Sequence, residues 1–350
     1  MYAKTFDSQS IANTRQWISK AQKIVLLSHM NADGDACGSI LGFTLMLDHA
    51  VPQATSIVPI LPNGCPSNFG WLPASGRILS GEQERQQCEH LIGEADTIIC
   101  LDFNTPSRID FLQDALVQAK AHKILIDHHH NPAANQFGVI FSDPEISSTC
   151  ELALWLADTL WGKKYIDTDV ARCLYTGLRT DTGGFAFSCS QPSCFDAASL
   201  LVSYDIHPAE VHNLITNTFS YNRMKFYGFA ISQRLSVYPE QRVAIFAFSL
   251  ADQQRFGVGG EDMEGLVNYT LMMKEMEVGA LLREEPTRTK VSLRAKGDVD
   301  VNLLAQKLGG GGHTKAAGAT CNMSMNDTLA TVRKLLGVAE QEPITASLTV

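Results

Sequence analysis

Residues 123–131 read KILIDHHHN, an apolar run that ends abruptly in an aspartate and three histidines. A continuous apolar run of this kind is typical of a strand buried on both faces of a parallel sheet. Polar side chains at the end of such a strand lie at the carboxyl edge of the sheet, where open α/β sheets bind ligands. We therefore expect Asp127, His128 and His129 to form the floor of a functional site.

The N-terminal two-thirds of the chain repeats this alternation of strand and helix. Residues 24–27 (IVLL) and 97–101 (TIICL) are further buried-strand candidates, and a helical pattern follows each of them. Within residues 147–149 (SST) a helix cap is favoured over a phosphate site, because Ser148 and Glu151 form a capping-box pattern. Strands alternating with helices predict an α/β fold whose parallel sheet carries helices on both faces.

The length of the chain predicts more than one domain. A chain of 350 residues exceeds what one ordinary hydrophobic core holds, which indicates two domains. The expected parts are an α/β domain over 1–200, a helical linker over 201–235, a smaller mixed α/β domain over 236–340 and a tail over 341–350.

Composition excludes several classes of protein. The sequence is 45% hydrophobic and 19% charged, as in soluble globular proteins, and its net charge of −9 argues against binding long nucleic acid. We find no signal-peptide pattern and no apolar run near the roughly 18 residues that span a membrane. The nine cysteines form no CxxC pair, which predicts reduced thiols and a cytoplasmic location.

Carboxylates and imidazoles follow an apolar run at four places in the chain. These places are His29 to Asp35 (HMNADGD), Asp102, Asp127 to His129, and Asp181. Aspartate with histidine suits divalent ions such as Mn²⁺ or Mg²⁺, and the absence of a cysteine set argues against structural zinc. Four aspartates in one crevice would repel one another and take up protons, so charge counting favours two divalent ions.

Such a centre predicts hydrolysis of a phosphate ester or anhydride. Two divalent ions about 3.5–4 Å apart can share a bridging hydroxide nucleophile and clamp a phosphoryl oxygen. Each motif alone has an ordinary alternative, since Asp-Gly marks turns and Asp102 by itself would be read as a helix cap. Their joint occurrence, with three at the ends of predicted strands, favours the metal centre.

The motifs HMNADGDACGS, CLDFNTPSR, LIDHHH and YTGLRTDTGGF resemble, in this order, the signature of the DHH phosphoesterase superfamily. The later GGGGHTKAAG resembles the signature of the accompanying DHHA1 domain. This resemblance covers almost the whole chain and implies a DHH catalytic domain followed by a DHHA1 substrate-binding domain. The two-domain form is similar to bacterial oligoribonucleases that also dephosphorylate adenosine 3′,5′-bisphosphate.

The resemblance implies a set of metal ligands. His29 and Asp33 would hold one ion, and Asp102 would bridge the two ions. The ligands of the other ion would be Asp35, His128 and Asp181. The resemblance favours Mn²⁺, with Mg²⁺ or Co²⁺ as alternatives.

The resemblance also implies roles for residues beside the metals. His129 would face the substrate phosphate as a charged donor or acid, Asp127 would fix an imidazole ring, and Asn31 would orient the phosphate or water. His130 extends the triplet without an assigned role. Many relatives carry Arg or Asn where this chain has Gly184, so a substrate contact there is expected to be missing or supplied elsewhere.

The C-terminal domain is expected to bind the rest of the substrate. Consecutive glycines let backbone amides approach a phosphate or base closely, and the predicted contacts are Gly310, Gly311, Gly312 and His313. Arg294 is a candidate for binding a second phosphate. The alternatives are a flexible linker for the glycines and a solvated strand face for Arg294.

The expected substrates are short oligonucleotides of about two to five residues, cleaved to 5′-mononucleotides, together with adenosine 3′,5′-bisphosphate. The alternatives are a soluble cyclic-dinucleotide or linear-dinucleotide phosphodiesterase, a pyrophosphatase or exopolyphosphatase, and a non-catalytic nucleotide sensor. Neither long nucleic acid nor a membrane is an expected partner, and the resemblance allows a homodimer.

Overall fold

A computed structural model describes residues 4–345 of the protein, and of His313 it describes the backbone alone. The chain divides into two compact units between Thr218 and Phe219. Residues 346–350 of the predicted tail lie outside the described residues.

The first unit is built on a six-stranded sheet in which every neighbouring pair of strands is parallel. Its strands are β1 Lys23–Leu27, β2 Ser56–Leu61, β3 Leu79–Ser80, β4 Thr97–Leu101, β5 His122–Asp127 and β6 Val139–Ser142. They lie in the order β3-β2-β1-β4-β5-β6. The parallel sheet predicted from the sequence is therefore confirmed.

Helices cover both faces of this sheet, as predicted. They are α1 Ser8–Lys20, α2 Gly34–Ala50, α3 Arg85–Glu94, α4 Gln113–Gln118, α5 Thr149–Trp161, α6 Thr168–Asp181, α7 Pro192–Val202 and α8 Pro208–Thr216. Alternate strand side chains enter different cores, since Leu26 packs with α2, α5 and α6 whereas Val25 packs with α3 and α4. This double burial explains why the strands are continuously apolar.

The strand order creates a crevice beside β1. The chain leaves β1 toward β2 and β3 and returns to the other side of β1 with β4. Such a reversal leaves a gap outside the carboxyl ends of the strands, where doubly wound folds bind ligands. The loops after β1, β4 and β5 all open at this edge.

Close packing of α2 against α6 sets the geometry above the sheet. Gly34, Gly38 and Gly42 recur every four residues and therefore lie on one side of α2. A Cβ on Gly38 would lie 2.4 Å from the carbonyl oxygen of Cys173, and one on Gly34 would lie 2.3 Å from Oγ1 of Thr180. Since side chains do not tolerate such contacts, glycine is required for the first turn of α2 to reach the last turn of α6.

The second unit is a mixed α/β domain, as predicted, and its sheet has seven strands. Its strands are β7 Leu235–Tyr238, β8 Val243–Phe248, β9 Val278–Glu284, β10 Thr289–Ala295, β11 Gly311–His313, β12 Ala316–Cys321 and β13 Ile344–Thr345. Their order is β11-β12-β10-β9-β8-β7-β13, with β8 and β9 parallel and the other pairs antiparallel.

The helices of the second unit lie on both faces of its sheet. They are α9 Tyr221–Phe229, α10 Leu250–Phe256, α11 Asn268–Met272, α12 Val301–Lys307 and α13 Met325–Leu335, and a π-helical turn, Ala230–Arg234, follows α9. Core residues of α12 and α13 pack with Ile245 and Leu293, whereas those of α9 pack with Phe246 and Leu281. Between residues 4 and 345, no helix has both the length and the apolarity needed to cross a bilayer.

Replacing Gly38 by alanine should destabilise the first unit. The added Cβ meets a backbone oxygen of α6, so the two helices must separate, at a cost of about 1–3 kcal/mol. The urea midpoint of unfolding, followed by circular dichroism, should fall. Gly93→Ala is the matched control, because nothing lies within 4 Å of the corresponding Cβ in α3 and alanine favours a helix. Equal midpoints for Gly38→Ala and the wild type would contradict this account of the packing.

Candidate metal centre

Side chains from four separate segments meet at the carboxyl edge of the parallel sheet. Their ligand atoms form three groups, and within each group the atoms lie within 4.8 Å of one another. The groups are His29, Asp33 and Asp102; Asp35, His128 and Asp181; and Asp102, His128 and His129. All six residues predicted as metal ligands are therefore close together, although they are far apart in sequence.

The first group lies between β1 and β4. Nε2 of His29 is 3.4 Å from Oδ2 of Asp102 and 3.9 Å from Oδ1 of Asp33. His29 and Asp102 are buried, whereas Asp33 is exposed at the start of α2, where its carboxylate caps the helix. The group thus has two fixed ligands in the protein interior and one that faces solvent.

The second group lies where β5 meets the ends of α2 and α6. Nε2 of His128 is 3.4 Å from Oδ2 of Asp181, 3.7 Å from Oδ1 of Asp102 and 3.9 Å from Oδ2 of Asp35. Asp102 directs one carboxylate oxygen toward His29 and the other toward His128. This arrangement gives Asp102 the position that a bridging ligand would need.

The N-terminus of α5 fixes two of these carboxylates. The backbone amides of Thr149 and Cys150 donate to the two oxygens of Asp35, at 2.6 and 2.9 Å. The hydroxyl of Thr149 donates to Oδ1 of Asp102 at 2.9 Å. The sequence indicated only a helix cap at this place. Thr149 is 114 positions from Asp35 and 47 positions from Asp102 in the chain, so no local sequence pattern could have predicted these contacts.

The predicted start of α5 is confirmed, but its capping box differs in one contact. Oγ of Ser148 accepts from the amide of Glu151 at 3.0 Å, as the pattern predicts. The carboxylate of Glu151, however, accepts from the amide and the hydroxyl of Ser147 instead of returning to Ser148. It also accepts from Nε1 of Trp155 at 3.2 Å. These contacts secure the turn from which Thr149 reaches the carboxylates.

Asp127 holds His129 in one orientation. The carboxylate of Asp127 is fully buried and contacts Nδ1 of His129 at 2.7 Å. It also accepts from the backbone amide of His129 at 3.1 Å. Because Asp127 is the last residue of β5, the strand itself fixes the direction of the imidazole.

Asn31 and Asp102, both at this edge, have left-handed backbone conformations. Asn31 has φ 57° and Asp102 has φ 64°, and asparagine and aspartate tolerate this region better than most residues. Asn63 holds Asn31 through two hydrogen bonds, its Oδ1 accepting from the amide of Asn31 at 2.9 Å and its Nδ2 donating to Oδ1 at 3.1 Å. Sequence reasoning missed Asn63, for which the one available signal was its place just after β2.

Burial and mutual repulsion raise the pKa of two of the carboxylates. Burial and the charges of Asp102 and Asp181 raise the pKa of Asp35 well above its usual range. Burial also raises the pKa of Asp181, to about 7, despite the nearby His128. The site therefore carries more acidic groups than its own surroundings can keep ionised.

The pKa values of Asp102 and His29 shift in the directions expected of an ion pair. Burial opposes ionisation of Asp102, but His29 and His128 outweigh it and lower the pKa of Asp102 to about 2. Burial likewise opposes the cationic form of His29, yet Asp102 outweighs it and raises the pKa of His29 to about 8. Without a metal, the imidazole proton supplies the positive charge that Asp102 requires.

The donor set fits divalent cations. Its ligands are carboxylate oxygens and imidazole nitrogens without a thiolate, which suits Mn²⁺, Mg²⁺ or Co²⁺ better than a structural zinc ion. Cations bound here would replace protons as the partners of the raised-pKa aspartates. Protein hydrogen bonds to Asp35 and Asp102 already hold these ligands in place.

Two further positions singled out in the sequence lie beside the centre without joining it. His130 is exposed and does not belong to any of the three groups, and its carbonyl accepts from Nδ2 of Asn104 at 2.7 Å. Gly184 has φ +72°, and a Cβ there would lie 2.6 Å from Nη1 of Arg179. The guanidinium of Arg179 thus occupies the space next to residue 184, so a larger side chain would require Arg179 to move.

The predicted substrate residues lie in the second unit. Arg294, on β10, donates from Nη1 to the carbonyl of Leu293 at 3.0 Å. Burial lowers the pKa of this guanidinium, although the charge of Glu264 opposes the effect. No carboxylate of the described residues forms an ion pair with Arg294 within 4.0 Å. A half-buried cation with this environment is suited to an anionic ligand.

The glycine-rich segment forms a tight hairpin. A Cβ on Gly310 would lie 2.0 Å from the carbonyl oxygen of Gly318, and one on Gly312 would lie 2.6 Å from that of Ala316. These two glycines are thus needed for packing within the hairpin, whereas only Asn302 Oδ1, at 3.7 Å, lies near a Cβ on Gly311. Ala316 pairs with His313 on β11 and with Arg294 on β10. The side chain of His313 lies outside the described part of the structure.

Comparison with known proteins agrees with this architecture. The family description "DHH family, N-terminal domain" matches residues 23–178, and "DHHA1 domain" matches residues 241–337. Relatives from Thermus thermophilus and Bacillus subtilis, each named "Bifunctional oligoribonuclease and PAP phosphatase NrnA", are 29% and 28% identical to this chain. The alignments cover 85% and 87% of this chain, and 83% and 90% of those proteins.

A solved structure is similar along nearly its entire length. The crystal structure of an exopolyphosphatase-related protein from Bacteroides fragilis is 34% identical, with a TM-score of 0.92. The similarity covers 96% of this chain and 98% of that one. Two domain matches in the expected order and this relative lead to one conclusion: the protein belongs to the DHH family of phosphoesterases and carries a DHHA1 domain.

Proposed function

We propose that the protein is a metal-dependent hydrolase that cleaves short oligonucleotides to 5′-mononucleotides and removes the 3′-phosphate of adenosine 3′,5′-bisphosphate. The observation that carries this proposal is the position of Asp102 at the carboxyl edge of the parallel sheet, where it forms a group with His29 and Asp33 and lies 3.7 Å from His128 of the other group. The shared name of the relatives from T. thermophilus and B. subtilis supports the class of substrate. The nine free cysteines support a reducing compartment such as the cytoplasm.

The six clustered residues would hold two divalent cations, of which Mn²⁺ is our choice. Asp102 would contact both cations. The remaining ligands would be His29 and Asp33 for one cation and Asp35, His128 and Asp181 for the other. When bound, two such cations acidify water and neutralise charge on phosphoryl oxygens. The contribution of the chain is to hold the ligands rigidly, through the amides of α5 and the hydroxyl of Thr149.

His129 would bind the substrate phosphate as a cation. Burial opposes its protonation, but the hydrogen bond to Asp127 and the charge of Asp102 outweigh burial and raise its pKa. A protonated imidazole in a fixed orientation can donate to a phosphate oxygen or to the departing oxygen of the ester. Asn31, held by Asn63, would present its side chain to the same phosphate or to water.

The second unit would select nucleotides. The half-buried guanidinium of Arg294 would pair with a second phosphate of the substrate, such as the one at the far end of a dinucleotide. Backbone amides of the hairpin Gly310, Gly311, Gly312 and His313 would approach the phosphate or base closely, because little side-chain volume intervenes at the glycines. Naked pyrophosphate would make few of these contacts.

Asp102→Asn should abolish activity in a metal-replete assay. The variant loses a negative charge that faces both His29 and His128. Turnover of the dinucleotide pApA should therefore fall by more than about a hundred-fold, the upper effect of losing an outer-shell partner. Chelator-stripped wild type should likewise be inactive and recover more activity with Mn²⁺ than with Zn²⁺.

The controls for this experiment test the role of the metal centre and the choice of substrate separately. Asp114→Asn, an exposed aspartate on α4, should retain wild-type turnover. Adenosine 3′,5′-bisphosphate, pGpG and pyrophosphate are assayed in parallel. Activity in metal-stripped protein, or faster hydrolysis of pyrophosphate than of pApA, would count against the proposal.

The affinity for Mn²⁺ should rise with pH. In the metal-free protein the pKa of Asp181 is about 7 and that of His29 about 8, so both are largely protonated at pH 6 and must release protons to bind metal. Because His29 and Asp181 would serve different cations, their deprotonation predicts an increase in affinity between pH 6 and pH 8 of about fifty-fold at the site of His29 and about ten-fold at the site of Asp181. Calorimetry in buffers of different ionisation enthalpy measures both the affinity and the proton release. Asp181→Asn should weaken the dependence of Mn²⁺ affinity on pH. A wild-type affinity that does not change between pH 6 and pH 8 would refute this prediction.

Arg294→Ala should selectively impair hydrolysis of substrates that carry a second phosphate. Loss of the guanidinium should raise the KM for pApA by about ten-fold or more, because charge-assisted contacts are the stronger hydrogen bonds. Hydrolysis of bis(p-nitrophenyl) phosphate, which lacks a second phosphate, should change little. Arg294→Lys keeps the charge and should recover part of the loss. Equal losses on both substrates would show that Arg294 serves the fold instead.

A further inference from the structure

The loop that follows the metal ligand Asp181 is folded tightly against the end of α6. The amides of Ala186 and Phe187 both donate to the carbonyl of Thr182 at 2.9 Å, and the amide of Phe185 donates to Oγ1 of Thr182 at 3.0 Å. Three consecutive residues are therefore fixed to the residue directly after Asp181. This places the loop beside the metal centre.

Phe187 is an exposed aromatic side chain in this loop. Its side chain is 69% exposed, the most of any phenylalanine among the large hydrophobic residues of the described chain. The ring lies against Gly183, where a Cβ would be 2.5 Å from Cδ2 of Phe187. Gly183 also has φ +56°, so both its conformation and the space for the ring favour glycine. The ring thus lies against backbone only two residues from Asp181.

Neighbouring aromatic rings support the loop from below. Phe185 lies 6.3 Å from the ring centroid of the buried Tyr175 in α6 and 5.7 Å from that of Phe195 in α7. These contacts leave Phe185 partly buried, whereas Phe187 remains exposed to solvent. Single exposed hydrophobic residues are common, but one fixed beside a phosphate-binding centre offers a ready surface for a planar group.

We propose that Phe187 stacks on the nucleobase of the nucleotide whose phosphate lies at the metal centre. The inference rests on the proposed function, because it takes the substrate to be a nucleotide. A single ribose separates a base from its phosphate, so a base attached to that phosphate lies within reach of a ring next to Asp181. Stacking accepts every base, since each has a π face, and pyrophosphate or polyphosphate has none. Phe187 would therefore favour nucleotides without selecting a sequence.

Binding of AMP and of ribose 5-phosphate to the Mn²⁺-loaded protein tests this inference, because ribose 5-phosphate carries a hydroxyl group where AMP carries the base. In calorimetry the wild type should bind AMP more tightly, and Phe187→Ala should reduce that preference by about ten-fold, within the range known for base stacking. Phe187→Trp should restore it. In kinetics Phe187→Ala should raise the KM for pApA.

Val117→Ala is the control, since Val117 is an exposed hydrophobic residue of α4, 42% exposed, and lies outside the loop that carries Phe187. It should leave the preference for AMP unchanged. A wild type without preference for AMP, or a Phe187→Ala variant that keeps it, overturns the inference. A protein that does not cleave pApA but still prefers AMP through Phe187 would instead refute the proposed function and leave the stacking role intact.

Discussion

The close contact of three helices above the sheet is the constraint on which the metal centre depends. A Cβ on Gly177 of α6 would lie 2.2 Å from Sγ of Cys150 in α5 and 2.7 Å from Oδ1 of Asp35 in α2. The helices therefore meet with almost no side-chain volume between them. As a result, Asp35 at the start of α2 and Asp181 at the end of α6 both come within 4 Å of Nε2 of His128. Wider spacing would separate ligands that belong to different helices.

The same packing brings together charges that oppose one another. The amides at the N-terminus of α5 stabilise the carboxylate of Asp35, but burial and the charges of Asp102 and Asp181 act more strongly in the opposite direction. Asp102 remains ionised because imidazoles face it. The metal-free centre thus relies on protons for charge balance, and divalent cations are the natural replacement for them. Metal binding, protonation and the packing of α2, α5 and α6 are aspects of one arrangement.

The two units carry different parts of the proposed function. The first unit holds the six proposed metal ligands, His129 and the exposed ring of Phe187, all at or next to the ends of β1, β4, β5 and α6. The second unit holds Arg294 and the glycine hairpin, with Arg294 and His313 paired to the same residue of β12. Chemistry common to phosphoesters would then reside in the first unit, and both units would contribute to recognition of a nucleotide.

The sequence by itself determined the parallel sheet, three of its strands (β1, β4 and β5) and the residues at the ends of these strands. Burial on both faces leaves a continuous apolar run there, with polar residues only where the strand stops. The sequence also determined the family, through motifs that occur in order. Only the tertiary structure decided which elements approach one another. It alone revealed the contacts of Thr149, Asn63, Gly38 and Arg179. These contacts join segments that are distant in the chain. Local periodicity shows which face of an element is buried, but not which other element packs against it or how closely.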